Sequence, residues 1–256
     1  MYQRLKFLRF SAALALSGWL GASCAGVILN GTRVIVNEAA GEATVQLRNT
    51  GDYPVLVQAW VDDGDFGASP QQAKSPFTLM PPVARIDSQK GQAIRLIRMG
   101  DVPDRKRESV FWLNVVEIPP KPTESLAAGD NLLLLAFRTR VKVFYRPAAL
   151  AGGVEKAHEK LCFSYDAAAQ KLLVSNPSPF HLTFHTLVLR RPDGRVIGEL
   201  AAKQDRMVAP GGERSFELRM TGRPQAAMDV RYSVINDYGG ETAAERDSRP
   251  SCAAPR

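Results

Sequence analysis

The chain has 256 residues and a mass of 28.0 kDa, and its 33 Lys and Arg against 26 Asp and Glu give a formal net charge of +7. Three of these cations and no acid lie in the first 25 residues, so the remainder carries 30 − 26 = +4. This modest excess of positive charge argues against a nucleic-acid-binding protein, despite a pI near 9.5. No run after residue 25 approaches the ~18 apolar residues of a transmembrane helix.

The first predicted element is a secretory signal peptide, which occupies residues 1–25. It begins with three cations, Arg4, Lys6 and Arg9. The apolar run FSAALALSGWL follows, and the small residues Ser23 and Ala25 stand at positions −3 and −1 of a cleavage site. We therefore expect cleavage after Ala25 and export of the mature chain. Lipid modification of Cys24 is the alternative, but Gly21 stands where that signal requires an aliphatic residue.

Short runs of strand-forming residues then recur up to residue 146, separated by Gly, Pro, Asn and Asp. The runs are GVILNGTRVIV, ATVQLRN, PVLVQAWVDD, PVARID, QAIRLIR, ESVFWLNVVEI and NLLLLAFRTRVKVFYRP. About seven strands at this spacing are typical of an antiparallel β-sandwich. The Pro and paired Gly of RPAALAGG, residues 146–153, predict a linker.

A second series of strand-like runs follows the linker. It consists of KLCFSYD, KLLVSN, LTFHTLVLRR, RVIGELAA, RSFELRM and VRYSVIND. Six or seven shorter strands predict a second sandwich. The sequence is therefore divided into a first domain at 26–147, a second at 148–240, and a tail at 241–256, whose Gly, Ala, Ser, Pro and charged residues predict disorder.

The segment 131–146 is unusually long for a strand and is apolar on both faces in its first half. One face carries Leu133, Leu135, Phe137, Thr139, Val141, Val143 and Tyr145, whereas the other carries Leu132, Leu134 and Ala136 before the cations Arg138, Arg140 and Lys142. One face of a sheet usually meets the core and the other meets water. The second apolar face therefore requires a cover that the composition alone does not identify.

The sequence offers little catalytic or metal-binding chemistry. It lacks GxSxG, HExxH, CxxC and a phosphate-binding Gly loop, and the close histidines His181 and His185 are expected to be surface residues. DDGD at residues 62–65 departs from a calcium loop and is interpreted as a polar turn. We therefore expect no enzyme, metal or cofactor. Cys162 and Cys252 predict a disulfide in an oxidising compartment, with two unpaired thiols as the alternative.

Two cations lie in otherwise apolar strands. Arg33 is central in GTRVIV and Lys142 in RVKVF. They either extend to solvent from an edge or together form an anion site, since both side chains make strong charge-assisted bonds to carboxylates. Similarly, Glu108 and Asp237 either pair with Arg146 across the domains or are unrelated surface charges.

Several of these motifs, in this order, resemble the periplasmic pilus-assembly chaperones of chaperone–usher systems, the PapD-like family. The motifs are GVILNGTRVIV, VLVQAWVDDGD, PFTLMPPVARID, RESVFWLNVVEIPP, RTRVKVFYRPAAL, SNPSPFHLT and VINDYGG. The resemblance implies an all-β fold of two immunoglobulin-like domains in an L shape. Met80 and Val36 depart from the family pattern, which usually has Thr and often has Tyr at these positions.

The resemblance also implies a function, which is to bind pilus (fimbrial) subunits by donating a strand and to deliver them to an outer-membrane usher. The donor residues match Leu133, Leu135 and Phe137. The anchor for the subunit's C-terminal carboxylate matches Arg33 and Lys142. An interdomain network of ion pairs matches Glu108, Arg146 and Asp237.

Two questions accompany this interpretation. Lys142 lies on the opposite strand face from the donor residues, so we expect a bulge or strong twist between Arg138 and Val141.

The competing hypotheses are a fimbrial structural subunit or adhesin of immunoglobulin-like fold, which is disfavoured because no N-terminal donor extension is present, and a β-sandwich enzyme, which lacks a general base.

Overall fold

The computed structural model describes residues 26–102, 104–121, 133–150, 153–225 and 228–247. The predicted signal peptide at 1–25 lies outside these residues. The first group of strands is β1 Val27–Leu29, β2 Arg33–Asn37, β3 Glu42–Asn49, β4 Val55–Asp62, β5 Phe77–Met80, β6 Val83–Ile86, β7 Gly91–Arg98, β8 Ser109–Ile118 and β9 Phe137–Arg146. The second group is β10 Cys162–Asp166, β11 Lys171–Ser175, β12 Leu182–Arg190, β13 Val196–Leu200, β14 Met207–Val208, β15 Glu213–Met220, β16 Asp229–Ile235 and β17 Glu241–Asp247. Two short 3-10 helices, Ala148–Leu150 and Val154–Lys160, lie between the groups.

The first domain is a sandwich of two sheets, with strand orders β1-β3-β7-β5 and β2-β9-β8-β4-β6. Alternate residues of each strand enter the space between the sheets, as Val55, Val57 and Ala59 do in β4, because side chains alternate across a strand. Neighbouring strands are antiparallel except β2 and β9, which run parallel. The parallel pair places the start of β2 beside the middle of β9.

The second domain is one curled sheet of eight strands, ordered β10-β11-β15-β13-β12-β16-β17, with β14 paired to β12. Its core is aromatic. The Phe184 ring contacts Phe216 and Tyr232 edge-on, with centroids 5.4 and 5.8 Å apart. Such T-shaped contacts favour packing beyond the apolar area that they bury. All-β architecture in two sandwich-like domains is therefore confirmed.

The structure has more strands than the sequence analysis predicted. GVILNGTRVIV forms two strands in different sheets, because the chain turns at Gly31, whose φ of 132° is disfavoured for residues with a Cβ. FTLM and the two-residue β14 form further strands.

The predicted disorder of the tail is wrong for residues 241–247. These residues pair with β16 over seven positions after a tight turn, in which the Asn236 amide donates to the Gly240 carbonyl at 2.8 Å. The composition does not reveal this strand, because its small and polar residues form a strand only beside β16. Residues 248–256 lie outside the described residues. No helix within the described ranges has the length and apolar character required to cross a bilayer.

Candidate functional site

Strand β9 has a backbone edge that is only partly paired. Strand β8 pairs along it from Phe137 to Tyr145, whereas β2 pairs on the other side only from Lys142 to Arg146. No other described strand pairs with β9, so residues 137–141 present an open edge, and residues 133–136 precede the strand without any pairing. Unpaired N–H and C=O groups in such an edge are available to another strand.

The side chains beside this open edge are apolar and exposed. Leu133 is 83% exposed, Leu135 55% and Phe137 64%. Leu134 on the other parity is 54% exposed, so both faces of this short segment meet solvent. Large apolar side chains next to an unpaired edge are the components that strand addition uses. These components remain uncovered in the isolated chain.

Arg33 and Lys142 lie side by side where the open edge ends. They are directly opposite each other in the β2–β9 register and both are half-buried. They project from the face opposite to Val141 and Val143, which enter the core of the first domain. The pair therefore marks the point at which β2 replaces any strand added along β9.

The environment of the two cations favours an anion. Burial lowers the pKa of the Lys142 ammonium; Asp205 opposes this effect, while Arg33 and Arg214 add to it. Within the described residues the Lys142 side chain has no hydrogen bond or ion pair. Arg33 donates from Nη1 to the Ile235 carbonyl at 2.9 Å, and its Nε is buried without a partner. Burial also lowers the pKa of Arg33. A carboxylate placed here would satisfy donors that are already desolvated.

The predicted interdomain ion pairs come together at the end of β9. Arg146 donates from Nε to Glu108 Oε1 at 2.8 Å and from both terminal nitrogens to Asp237, with Nη2 2.6 Å from Oδ1. Glu108 and Arg146 belong to the first domain and Asp237 follows β16 of the second. The pKa of Arg146 is raised: desolvation, the largest single effect, opposes the rise, and the bonds to Asp237 and Glu108 together outweigh it.

His181 is a fourth member of this network, which the sequence analysis did not find. Its backbone N–H and Nδ1 lie 2.8 and 3.0 Å from Glu108 Oε2, and its side chain is 6% exposed. The expectation that His181 is a surface residue is therefore wrong. For His185 the expectation holds, since it is exposed and 3.0 Å from Glu241. A cavity of about 320 Å³ lies beside the network, lined by Arg33, Arg146, His181 and Asp237 among others.

Of the bulge or strong twist expected between Arg138 and Val141, the bulge is absent. The β8–β9 register is continuous from the pair Ser109–Tyr145 to the pair Glu117–Phe137. Without a bulge, Phe137 and Lys142 project from opposite faces of β9, because side chains alternate along a strand. A strand added in the plane of the sheet has side chains on both faces, so one partner can contact both residues.

The DDGD motif is a turn, but it is more than a polar one. Asp62 Oδ1 accepts a bond from the Gly64 amide at 2.8 Å, as expected for a turn. The carboxylate is nevertheless completely buried, and it also accepts bonds from Asn114 and Arg140. The sequence analysis missed this burial. The signal that could have indicated it is Arg140, a cation within a strand that bonds to Asp62.

Two further predictions concern disulfides and metals. Cys162 is buried at the start of β10 and takes part in a disulfide. Cys252, its predicted partner, lies outside the described residues, so the pairing stays a prediction. In the part of the chain that the structure describes, no three His, Cys, Asp or Glu side chains are grouped as metal ligands are.

Two family models together match most of the chain. The model described as "Pili and flagellar-assembly chaperone, PapD N-terminal domain" matches residues 26–151, and "Pili assembly chaperone PapD, C-terminal domain" matches residues 156–246. The chain belongs to the PapD-like pilus-assembly chaperones.

Individual relatives agree with this family assignment. The chaperone is 39% identical over 245 residues to the chaperone protein FimB/FhaD of Bordetella pertussis, covering 94% of this chain and 95% of the relative. It is 38% identical over 223 residues to the probable fimbrial chaperone YadV of Escherichia coli, covering 86% and 88%. The YadV crystal structure matches with a TM-score of 0.73 over 87% of this chain and all of YadV.

A solved complex resembles the chaperone as well. The SafB chaperone of Salmonella enterica, bound to the SafA pilin, matches with a TM-score of 0.70 and 26% identity, covering 89% of this chain and 98% of the matched chain. The curated relatives named above are chaperones rather than pilus subunits. The chain is thus a fimbrial chaperone, and the alternative of a structural subunit or adhesin is not supported.

Proposed function

We propose that this chaperone binds pilus subunits in the periplasm by adding the edge of residues 133–141 to an incomplete subunit sheet. The observation that carries the proposal is that the open edge ends beside Arg33 and Lys142. Backbone hydrogen bonds along the edge supply affinity, and alternate side chains supply specificity. Leu133, Leu135 and Phe137 then enter the hydrophobic groove of the subunit, separated by roughly 7 Å at two residues of about 3.3 Å each.

The geometry also supports one direction for the bound strand. Strand β2 is parallel to β9 and begins at Arg33, so an added strand on the same edge must end before it. If the subunit chain ends beside Arg33 and Lys142, its terminal carboxylate lies between these two cations, and its last strand runs parallel to β9. A strand of the opposite direction would place its amino group or a continuing chain against two cations.

The ion pairs of Arg146 support this function indirectly. Glu108, Asp237 and His181 hold the second domain against the end of β9, and Ile235 of that domain accepts a bond from Arg33. We infer that the network fixes the position of Arg33 relative to Lys142. SafB, which resembles the chain, forms a complex with a pilin.

The remaining parts of the proposal concern location and delivery. The signal peptide at residues 1–25 exports the chain, and cleavage follows Ala25. The chaperone acts without catalysis and transfers its subunit to an outer-membrane usher. Neither step requires a cofactor.

Co-purification tests the proposal. A candidate pilus subunit from the same organism is co-expressed with the chaperone, and the periplasmic fraction is analysed for a complex. We expect a 1:1 complex with the wild-type chaperone, none with Lys142→Ala, and a normal complex with Lys90→Ala, which removes an exposed lysine of the same domain. A complex that forms equally well with Lys142→Ala and with Leu135→Ser would overturn the proposal.

A further inference from the structure

A buried acid lies on the outer face of the β2-β9-β8-β4-β6 sheet. Asp62 ends β4 on the same parity as Leu56, Gln58 and Trp60, which faces away from the core of the sandwich. Its exposure is nevertheless zero. The core does not cover this carboxylate, and the proposed subunit anchor does not use it.

A continuous series of hydrogen bonds connects this acid to β9. Arg140 donates to Asp62 Oδ1, and the Asn114 amide donates to Asp62 Oδ2 at 2.6 Å. The Asn114 carbonyl oxygen in turn accepts two bonds from Arg138, from Nε at 2.9 Å and Nη2 at 2.6 Å. Arg138 donates its third bond to the Phe66 carbonyl at 2.8 Å. Both guanidinium groups are thereby fixed in orientation.

Aromatic rings enclose the two arginines. The Arg138 guanidinium lies 4.9 Å from the Trp60 ring centre and 4.8 Å from that of Phe66. The Arg140 guanidinium lies 4.9 Å from the Trp112 ring centre. Planar cations held against aromatic faces are restricted further, and the rings keep water from Asp62.

The position of these arginines along β9 gives the cluster its significance. Arg138 and Arg140 are two of the five residues, 137–141, that only β8 pairs among the described strands. A strand end with one neighbour opens more easily than a strand with two, because fewer hydrogen bonds must break. Side-chain bonds to the neighbouring strands oppose this opening.

We propose that Asp62 is a positioning residue, which acts through Asn114, Arg138 and Arg140 to hold residues 137–141 in strand geometry before a subunit binds. This inference rests on the proposed function, because it concerns the same donated edge. An edge that is already extended binds more tightly, since less conformational freedom is lost on binding. The cluster would also fix the direction in which residues 133–136 leave the sheet.

A different role for the arginines makes the opposite prediction. If Arg138 and Arg140 attracted an acidic partner directly, Asp62→Asn would remove a competing charge and strengthen binding. If they position the strand, the same change weakens binding, although the net positive charge increases. The sign of the effect therefore distinguishes the two roles.

The experiment combines hydrogen exchange of the free chaperone with subunit binding. The variants are Asp62→Asn and Arg138→Lys, and the control is Asp87→Asn, which removes the acid of an exposed ion pair in the same domain. Arg138→Lys keeps the charge but cannot make three oriented bonds, and its side chain is 25% exposed, so it does not endanger folding.

We expect two changes in both variants: those amides of residues 138–141 that bond to β8 exchange about tenfold faster than in wild type, and the subunit binds about tenfold more weakly. Exchange in the second domain, and in Asp87→Asn, should not change. Wild-type exchange in Arg138→Lys, or tighter binding by Asp62→Asn, would overturn the proposal. Should Asp62→Asn not fold, Arg138→Lys decides alone. If the wild-type chaperone binds no subunit, the proposed function fails, whereas the exchange of the free protein still tests the positioning role.

Discussion

Lys142→Ala should weaken subunit binding strongly without destabilising the free chaperone. In the free protein the ammonium is half-buried beside Arg33 and has no acidic partner at bonding distance among the described residues. Removing it eliminates a desolvated charge and a repulsion, so the melting temperature should stay the same or rise. In the complex the same change removes a bond to a charged group, which is worth roughly 1.5–3 kcal/mol.

That range corresponds to a tenfold to hundredfold loss of affinity, at about 1.4 kcal/mol for each factor of ten. Isothermal titration calorimetry measures this loss of affinity. The chaperone is titrated with a subunit that has either a free or an amidated C-terminus. The free carboxylate should bind tenfold to hundredfold more tightly to wild type, and this preference should fall sharply for Lys142→Ala. Lys90→Ala is the control.

The pH dependence of binding provides a second test of the anchor. Burial lowers the pKa of Lys142, and a bound carboxylate raises it again. Binding therefore takes up protons at alkaline pH, and affinity should fall as the pH rises through the lowered pKa. Lys142→Arg should bind independently of pH over this range. Equal affinity of the wild-type chaperone for subunits with a free and with an amidated C-terminus would refute the anchor.

Three further outcomes are expected. Glu108→Ala and Asp237→Ala should lower the stability of the chaperone, by about 3–5 kcal/mol for the buried Glu108 and less for the partly exposed Asp237, and should change the small-angle scattering because the domains are released from each other. Leu135→Ser should weaken subunit binding by about 1.5–3 kcal/mol, the value of one buried leucine, while the preference for a free carboxylate persists. Non-reducing peptide mapping should find Cys162 joined to Cys252, and two alkylatable thiols would exclude the bridge.

Matched controls separate these effects from general surface changes. Glu199→Ala removes the acid of an exposed ion pair in the second domain and should leave melting and scattering unchanged. Leu56→Ser alters an exposed leucine on β4, which β8 separates from the open edge of β9, and should leave subunit binding unchanged. An identical response of Leu56→Ser and Leu135→Ser would contradict strand donation.

The sequence predicts the two-sandwich fold because alternating apolar residues and regular turns are local signals. It does not predict the division of GVILNGTRVIV, because both strands are apolar and only their pairing partners differ. For the same reason β17 is missed, since its small and polar residues become a strand only beside β16.

The candidate site shows the same limit. Resemblance to the family assigns Arg33, Lys142 and Arg146, whereas strand parity alone suggests a bulge that does not exist. His181 and Asp62 are missed because their burial depends on Glu108 and Arg140, which lie more than 70 residues away in sequence. A buried polar group is recognised from its partners, and a single strand does not contain them.

If strand addition is correct, residues 133–141 of the chaperone become a strand of the subunit sheet. Amide hydrogen exchange of the chaperone, measured alone and in complex with the subunit, detects this change residue by residue. Strand addition predicts that amides in this segment become strongly protected in the complex, while exchange in the second sandwich core does not change. Protection elsewhere, with unchanged exchange of residues 133–141, would contradict it.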